Sequence, residues 1–188
     1  MKQLDGTGLK RLHRGWRRRT VSPLALVLDS VQGPYNAGSI VRTAAAYRVE
    51  RVWLTGSTPD LATPAVQKAA MGTDRYLSVE RARTALDAIE AERADGYMVL
   101  GLELADGAVP LWEVASRGAI CVVVGNEDHG LNTVTLQACD AVAYLPLAGK
   151  VGSLNVAAAA AVALFEVRRQ QWTTADDTTG DPAEDSNE

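Results

Sequence analysis

Five side chains in this 188-residue sequence have the types and settings for chemistry on a polar ligand: Asn36, Arg42, Glu127, Ser153 and Asn155. Asn36 follows the loop signal Gly33-Pro34, and Arg42 comes about two helical turns later. Glu127 sits between two glycines in Gly125-Asn126-Glu127-Asp128-His129-Gly130-Leu131. Ser153 and Asn155 close Leu145-Pro146-Leu147-Ala148-Gly149-Lys150-Val151-Gly152-Ser153-Leu154-Asn155. An arginine offers a planar charged fork that suits phosphate or a developing oxyanion. Ser153 or Asn155 could equally cap the helix that follows by accepting backbone N–H bonds.

The common alternatives lack their signatures. No G-x-G-x-x-G follows a strand, so the dinucleotide fingerprint is absent. Gly125 and Gly130 have the glycine spacing of a phosphate loop, but Leu131-Asn132 stands where Lys-Ser/Thr is required. Histidines and cysteines show no metal-ligand spacing, so no metal is expected. Ser153 lacks the G-x-S-x-G elbow of a nucleophilic serine.

The elements that must carry these residues can be read from hydropathy. Leu24-Ala25-Leu26-Val27-Leu28 is an unbroken apolar run, as in a strand covered on both faces. A helix follows over about 37–47, with Ile40, Val41, Ala44 and Ala45 apolar. Small neighbours (Ser39, Thr43, Ala46) leave Arg42 uncrowded. Val52-Trp53-Leu54 is a second strand, 64–71 is helical, and 76–79 is a strand. Residues 81–94 read as an amphipathic helix with Ala82, Ala85, Leu86 and Ile89 inward. Further strands are expected at 97–102, 119–124 and 141–145, with a short helix over 133–138. From Val156 a helix is apolar on every face through Phe165, which normally means burial all round, in a core or at a subunit interface. Alternation of strands and helices implies an α/β fold, a parallel sheet with helices on both faces. The loops bearing Asn36, Glu127 and Ser153–Asn155 each follow a strand, so all three can meet at one sheet edge.

Composition bounds the rest. Hydrophobic residues make up 47%, enough for a core. No segment resembles a membrane span or a secretory signal, and Cys121 and Cys139 read as reduced core residues of a cytoplasmic protein. The net charge of −4 hides an asymmetry. Residues 1–21 form a basic arm with Lys2, Lys10, Arg11, Arg14, Arg17, Arg18 and Arg19, and Leu9, Leu12 and Trp16 make an apolar stripe by which it could dock. Residues 173–188 form an acidic tail, expected to lack fixed structure. Without its six acidic side chains the net charge becomes +2. A basic arm beside a globular domain (22–172) hints at a polyanion partner, though it also fits a merely solvated helix face.

Taken in order, Asn36-Ala37-Gly38-x-x-x-Arg42-Thr43-Ala44, Gly125-Asn126-Glu127-x-x-Gly130-Leu131 and Pro146-x-x-Gly149-x-x-x-Ser153-Leu154-Asn155-Val156-Ala157 resemble the three motifs of the SPOUT RNA methyltransferases, specifically the TrmH-type ribose 2′-O-methyltransferases. The resemblance spans about residues 22–171. It implies a C-terminal deep trefoil knot, which no sequence pattern derives, a homodimer with sites near the interface, and bent S-adenosylmethionine. Leu102, Leu145 and Leu154 match positions that wrap the adenosyl part, with Gly125, Asn126, Leu147 and Ser153 also assigned to the cofactor. Gly125 and Gly149 would permit close backbone approach.

The family assigns proton removal from the ribose hydroxyl to the arginine matching Arg42. A guanidinium holds its proton far above neutral pH, so two roles stay open: a base tuned by its site, or a cation that stabilises the alkoxide. Asn36 and Glu127 would orient Arg42 or the ribose, and Ser153 and Asn155 would complete the pocket. The family often carries an extra N-terminal RNA-binding domain, for which the residues before the first strand are too few. RNA would then be gripped by the catalytic dimer, the arm, and Arg168 and Arg169, with transfer RNA the first expectation and ribosomal RNA the second. A non-catalytic RNA-binding protein of the same fold is the rival.

Overall fold

The structure, a computed structural model, describes residues 2–178. Seven parallel strands form one sheet in the order β3-β2-β1-β6-β4-β7-β5: β1 Leu24–Asp29, β2 Arg51–Thr55, β3 Ser78–Ala82, β4 Met98–Leu102, β5 Val109–Pro110, β6 Ile120–Val124 and β7 Ala141–Tyr144. Six α-helices accompany them among the described residues: α1 Gly6–Arg19, α2 Pro34–Ala46, α3 Pro64–Ala70, α4 Ala85–Ala94, α5 Thr133–Ala138 and α6 Val156–Thr178. The expected doubly covered parallel sheet is present.

The unbroken apolar run of β1 has its predicted cause. Leu24, Leu26 and Leu28 point into a core shared with Ile40 and Ala44 of α2 and Ala160 and Leu164 of α6. Ala25 and Val27 point the other way, into a core with Ala85, Ala88 and Ile89 of α4 and the buried Cys121. Two-sided burial removes the polar alternation that a half-exposed strand would show. Between α2 and α3, a Cβ at Gly38 would collide with the Val66 carbonyl and the Ala69 side chain. Glycine therefore sets how closely these helices cross.

Strand β7 lies between β4 and β5, two strands already joined by residues 103–108. The chain then returns as α6 to pack on α2 and β6. This path fits the expected threading.

Several boundaries and placements differ from the sequence reading. Helix α4 begins at Ala85, not 81, because Thr84 and Asp87 form a reciprocal capping box and Ala82 belongs to β3. Residues 74–76 form a 3-10 turn before that edge strand. Helix α6 continues through Thr178, past the expected boundary at 172, and the remainder of the acidic tail lies outside the described residues. Nor is α6 buried on every side. Ala160, Ala163, Leu164 and Val167 are buried, while Val162 and Phe165 are each 46% exposed.

The basic arm docks by its end only. The Trp16 and Trp172 rings lie 4.8 Å apart, and the Arg48 guanidinium donates to the Arg17 and Thr20 carbonyls at 3.1 and 2.8 Å. Leu9 and Leu12 of the predicted stripe stay exposed. Arg168, expected on an RNA-gripping face, is instead 1% exposed. It donates to the carbonyls of Ser22, Tyr47 and Arg48 and to Gln171. Its charge ties α6 to the chain ends around β1 and α2. Arg169 is exposed and paired with Glu166 at 2.7 Å.

Candidate active site

At the C-terminal edge of the sheet the loops after β4, β6 and β7 enclose a cavity of about 930 Å³. Leu102, Val124, Leu145, Leu147 and Leu154 give it apolar walls. Glu103, Asn126, Glu127, His129, Ser153 and Asn155 add polar atoms. Gly125 is required by packing, because a Cβ there would overlap the backbone of Gly130 and Leu131 as the loop folds back on itself. Gly149 has no such constraint. A Cβ there would meet only Val151, at 4.0 Å, so packing within the chain does not require glycine at this position.

Three of the five chemical side chains form one hydrogen-bonded chain. Glu127 Oε1 accepts from the Gly33 N–H at 2.8 Å and from the Asn36 amide at 2.9 Å, while Oε2 accepts from the Gln32 N–H at 2.9 Å. Asn36 Oδ1 in turn accepts from Asn155 Nδ2 at 3.0 Å. Asn155 Oδ1 accepts from the N–H groups of Ala157 and Ala158 at the start of α6, at 3.0 and 3.3 Å. The two readings of Asn155 hold together, since it caps the helix and reaches into the site. Burial pushes the Glu127 carboxyl up, but hydrogen bonds from Asn36, Gln32 and Gly33 outweigh this and hold it below the usual glutamate range. Glu127 is thus an ionised brace at neutral pH, with both oxygens committed.

Asn126 braces its own loop. Its Oδ1 accepts from the Asp128 and His129 N–H groups at 2.9 and 3.1 Å, and its Nδ2 donates to the Ser30 carbonyl at 2.8 Å. Ser153 and Leu154 line the cavity and are exposed. Arg42 is not brought to it. Its side chain is exposed on α2, and Nη1 lies 2.7 Å from Met71 Sδ. Four of the five predicted chemical residues, then, converge at the cavity mouth, and the fifth faces away along α2.

Sequence reasoning missed Gln32, Gly33 and Glu103. The first two act through backbone N–H groups, which no residue type signals. Glu103 Oε2 accepts from the Leu131 N–H at 2.8 Å and holds the Gly130–Leu131 turn against the end of β4. A carboxylate directly after an apolar strand was the available clue. Among the described residues no group of three or more His, Cys, Asp or Glu is placed to hold a metal ion, and no helix is long and apolar enough to cross a membrane.

A parallel sheet with a cavity walled by the loops after adjacent strands, and with an Asn–Glu–Asn brace at its mouth, defines a ligand-binding α/β protein of the kind the three motifs suggested. The SpoU rRNA Methylase family profile matches residues 23–165, and the chain belongs to that family. The 23S rRNA (guanosine-2′-O-)-methyltransferase RlmB of Coxiella burnetii is 32% identical over 155 residues, covering 82% of this chain and 62% of that protein. The AdoMet-bound rRNA methyltransferase of Sinorhizobium meliloti superposes with a TM-score of 0.74 at 33% identity, over 80% of this chain and 59% of that one. A structure described as giving insights into 2-OH methylation of C/U34 on tRNA matches with a TM-score of 0.70 at 29% identity, over 79% of this chain and 96% of that one. The chain spans between 40% and 62% of the length of the first curated relatives it matches.

Proposed function

We propose that this chain is an S-adenosylmethionine-dependent RNA methyltransferase acting on a ribose 2′-hydroxyl, with transfer RNA as substrate. The observation that carries the reading is the Asn155–Asn36–Glu127 chain at the mouth of the cavity. It links all three motifs at one point.

The cavity suits the cofactor. Leu102, Leu145, Leu147 and Leu154 offer apolar walls for an adenosyl group, and the loop around Gly125 offers backbone polar atoms at close range. When bound there, S-adenosylmethionine supplies an electrophilic methyl group. The chain's own residues do the rest. Glu127 fixes the turn at Gln32–Gly33 and the amide of Asn36. Asn36 and Asn155 hold each other across the cavity mouth, and Ser153 presents a hydroxyl beside them. A ribose hydroxyl is a poor nucleophile until its proton leaves, and a guanidinium beside it lowers the cost of the developing oxyanion.

Arg42 does not line the cavity enclosed by the loops of its own chain, so the reading requires a homodimer in which Arg42 of a second copy completes each site. The exposed Val162 and Phe165 of α6 support such a seam. Phe165 lies 6.2 Å from the Tyr47 ring beside the end of α2, the helix that bears Arg42. The knotted path belongs to the same proposal.

Transfer RNA is favoured by the neighbour named for tRNA, nearly all of whose length this chain matches. Ribosomal RNA is the second reading, favoured by the RlmB relatives. The test is methyl transfer from labelled S-adenosylmethionine to purified bulk tRNA and rRNA, followed by nucleoside analysis. A 2′-O-methylated nucleoside is expected. Label on a base, or RNA binding without any thermal stabilisation by the cofactor, would overturn the reading, the latter in favour of a non-catalytic RNA-binding protein.

A further inference from the structure

The segment after α3 is not used by the site described above, yet it touches Arg42. Met71 ends α3 with φ at +53°, and Gly72 follows at +71°. The left-handed position after a helix normally falls to glycine, because a side chain there costs conformational energy. Here it carries a long side chain that is 66% exposed and whose sulfur accepts from Arg42. A thioether is a weak acceptor, so this contact holds the guanidinium in place without neutralising it. Five residues on, Tyr76 is also 66% exposed, and the Arg75 guanidinium lies over its ring at 4.8 Å. Arg75 Nη2 also donates to the Tyr76 hydroxyl at 2.7 Å. The turn Asp74–Tyr76 packs against α2, the helix that bears Arg42, and α3 adds the exposed Lys68. Asp74 is the one acid within the turn.

We propose that Met71, Arg75 and Tyr76 form a nucleobase platform that seats an unstacked nucleotide of the RNA next to Arg42. The inference rests on the functional reading above and adds a specificity surface to it. Its chemistry is that of single-stranded RNA recognition, in which splayed bases stack on aromatic rings and on arginine planes. A ring backed by the Arg75 guanidinium presents a polarised face for a base, and the exposed Arg42 of α2 and Lys68 of α3 take the flanking phosphates once a strand arrives. Three cations against one acid suit a polyanion better than a neutral protein surface. The platform grips RNA only. S-adenosylmethionine is held by the separate loops after β4, β6 and β7.

The experiment uses the full chain and two probes, a fluorescein-labelled single-stranded RNA oligonucleotide of mixed sequence and S-adenosylmethionine. Tyr76→Ala is expected to weaken oligonucleotide binding about tenfold, and Tyr76→Phe to stay within about twofold, because stacking rather than the hydroxyl carries the contact. KM for RNA rises in Tyr76→Ala while cofactor affinity is unchanged. A Tyr76→Ala chain that binds RNA like the wild type overturns the platform, as does one that loses cofactor and RNA together, or a Tyr76→Phe chain as weak as the alanine variant. A wild-type chain that methylates RNA while Tyr76→Ala does so equally well sinks this inference alone. A wild-type chain that neither binds nor methylates RNA sinks the functional reading with it.

Discussion

The side-chain amide of Asn155 donates to the side-chain oxygen of Asn36 at 3.0 Å, joining residues 119 positions apart in sequence. That bond joins the end of the last loop to the start of α2, and Glu127 locks its far side. The cavity mouth is thereby held by side chains from two loops and the first turn of α2, which share no local sequence.

Substitutions at Asn155 separate its two jobs. Asn155→Asp keeps an oxygen for the Ala157 and Ala158 N–H groups but loses the donor to Asn36. Its thermal stability should stay close to wild type while methyl transfer falls by tenfold or more, about 1.4 kcal/mol of transition-state stabilisation. Asn155→Ala loses both and should also cost about 1 kcal/mol of stability through the lost cap. Melting curves read beside a transfer assay check the pair. Equal activity of Asn155→Asp and wild type would reduce the bond to a structural detail.

Glu127 makes the site sensitive to acid. Its carboxyl is held below its ordinary value, so the folded state binds its proton less readily than the unfolded chain. The stabilisation is present above the unfolded glutamate value, about 4.3, and disappears as pH falls through the lower folded value. Glu127→Gln should therefore melt below the wild type at pH 7, and the difference should close as the pH falls through that acid range. A gap that stays constant across the range would show that charge plays no part in the brace.

Arg168 illustrates the opposite error, a charge taken for a ligand contact. Burial pulls its pKa down to about 10, so it remains charged at neutral pH, surrounded by three main-chain carbonyls and Gln171. Arg168→Leu would leave those acceptors buried without donors and should cost about 3 kcal/mol or more. RNA affinity of the fraction that stays folded should not change. Denaturant unfolding and RNA binding measured on one preparation decide between anchor and RNA contact.

The contrast shows what the sequence could and could not convey. β1 was legible because five consecutive apolar residues admit one explanation, a strand with both faces covered. β3 was shifted because an edge strand with the neighbouring Glu80 and Arg81 both exposed, one on each face, has no strong pattern. The start of α4 was misplaced although Thr84-x-x-Asp87 carried the signal. For the site, the motifs identified Asn36, Glu127 and Asn155 but not the bonds among them, since pairing across 119 residues depends on the path of the chain. α6 misled for a related reason. Its apolar surface implied burial, and hydropathy alone does not distinguish a core from a seam awaiting a second chain.

The exposed apolar face of α6 leads to the sharpest expectation. Arg42 lies on Met71 rather than in the cavity of its own chain, and Val162 and Phe165 leave an apolar face on α6 beside α2. If a second copy brings its Arg42 to this cavity, each site takes its cofactor loops from one protomer and its guanidinium from the other. Arg42→Ala should then abolish methyl transfer while leaving cofactor binding nearly intact, and Arg42→Lys should recover little if the fork, rather than charge alone, is needed. A chain carrying Asn155→Ala should be inactive for the complementary reason. Co-expressing the two inactive chains with different tags and purifying the mixed dimer should restore one competent site, about half the wild-type activity per dimer, because one pocket then joins an intact Asn155 to an intact Arg42. If that face pairs two copies, Val162→Glu on it should shift the protein to a monomer by sedimentation and remove activity without lowering its affinity for S-adenosylmethionine. A mixed dimer that stays inactive, or a monomer that transfers methyl groups at the wild-type rate, would place the whole site within one chain.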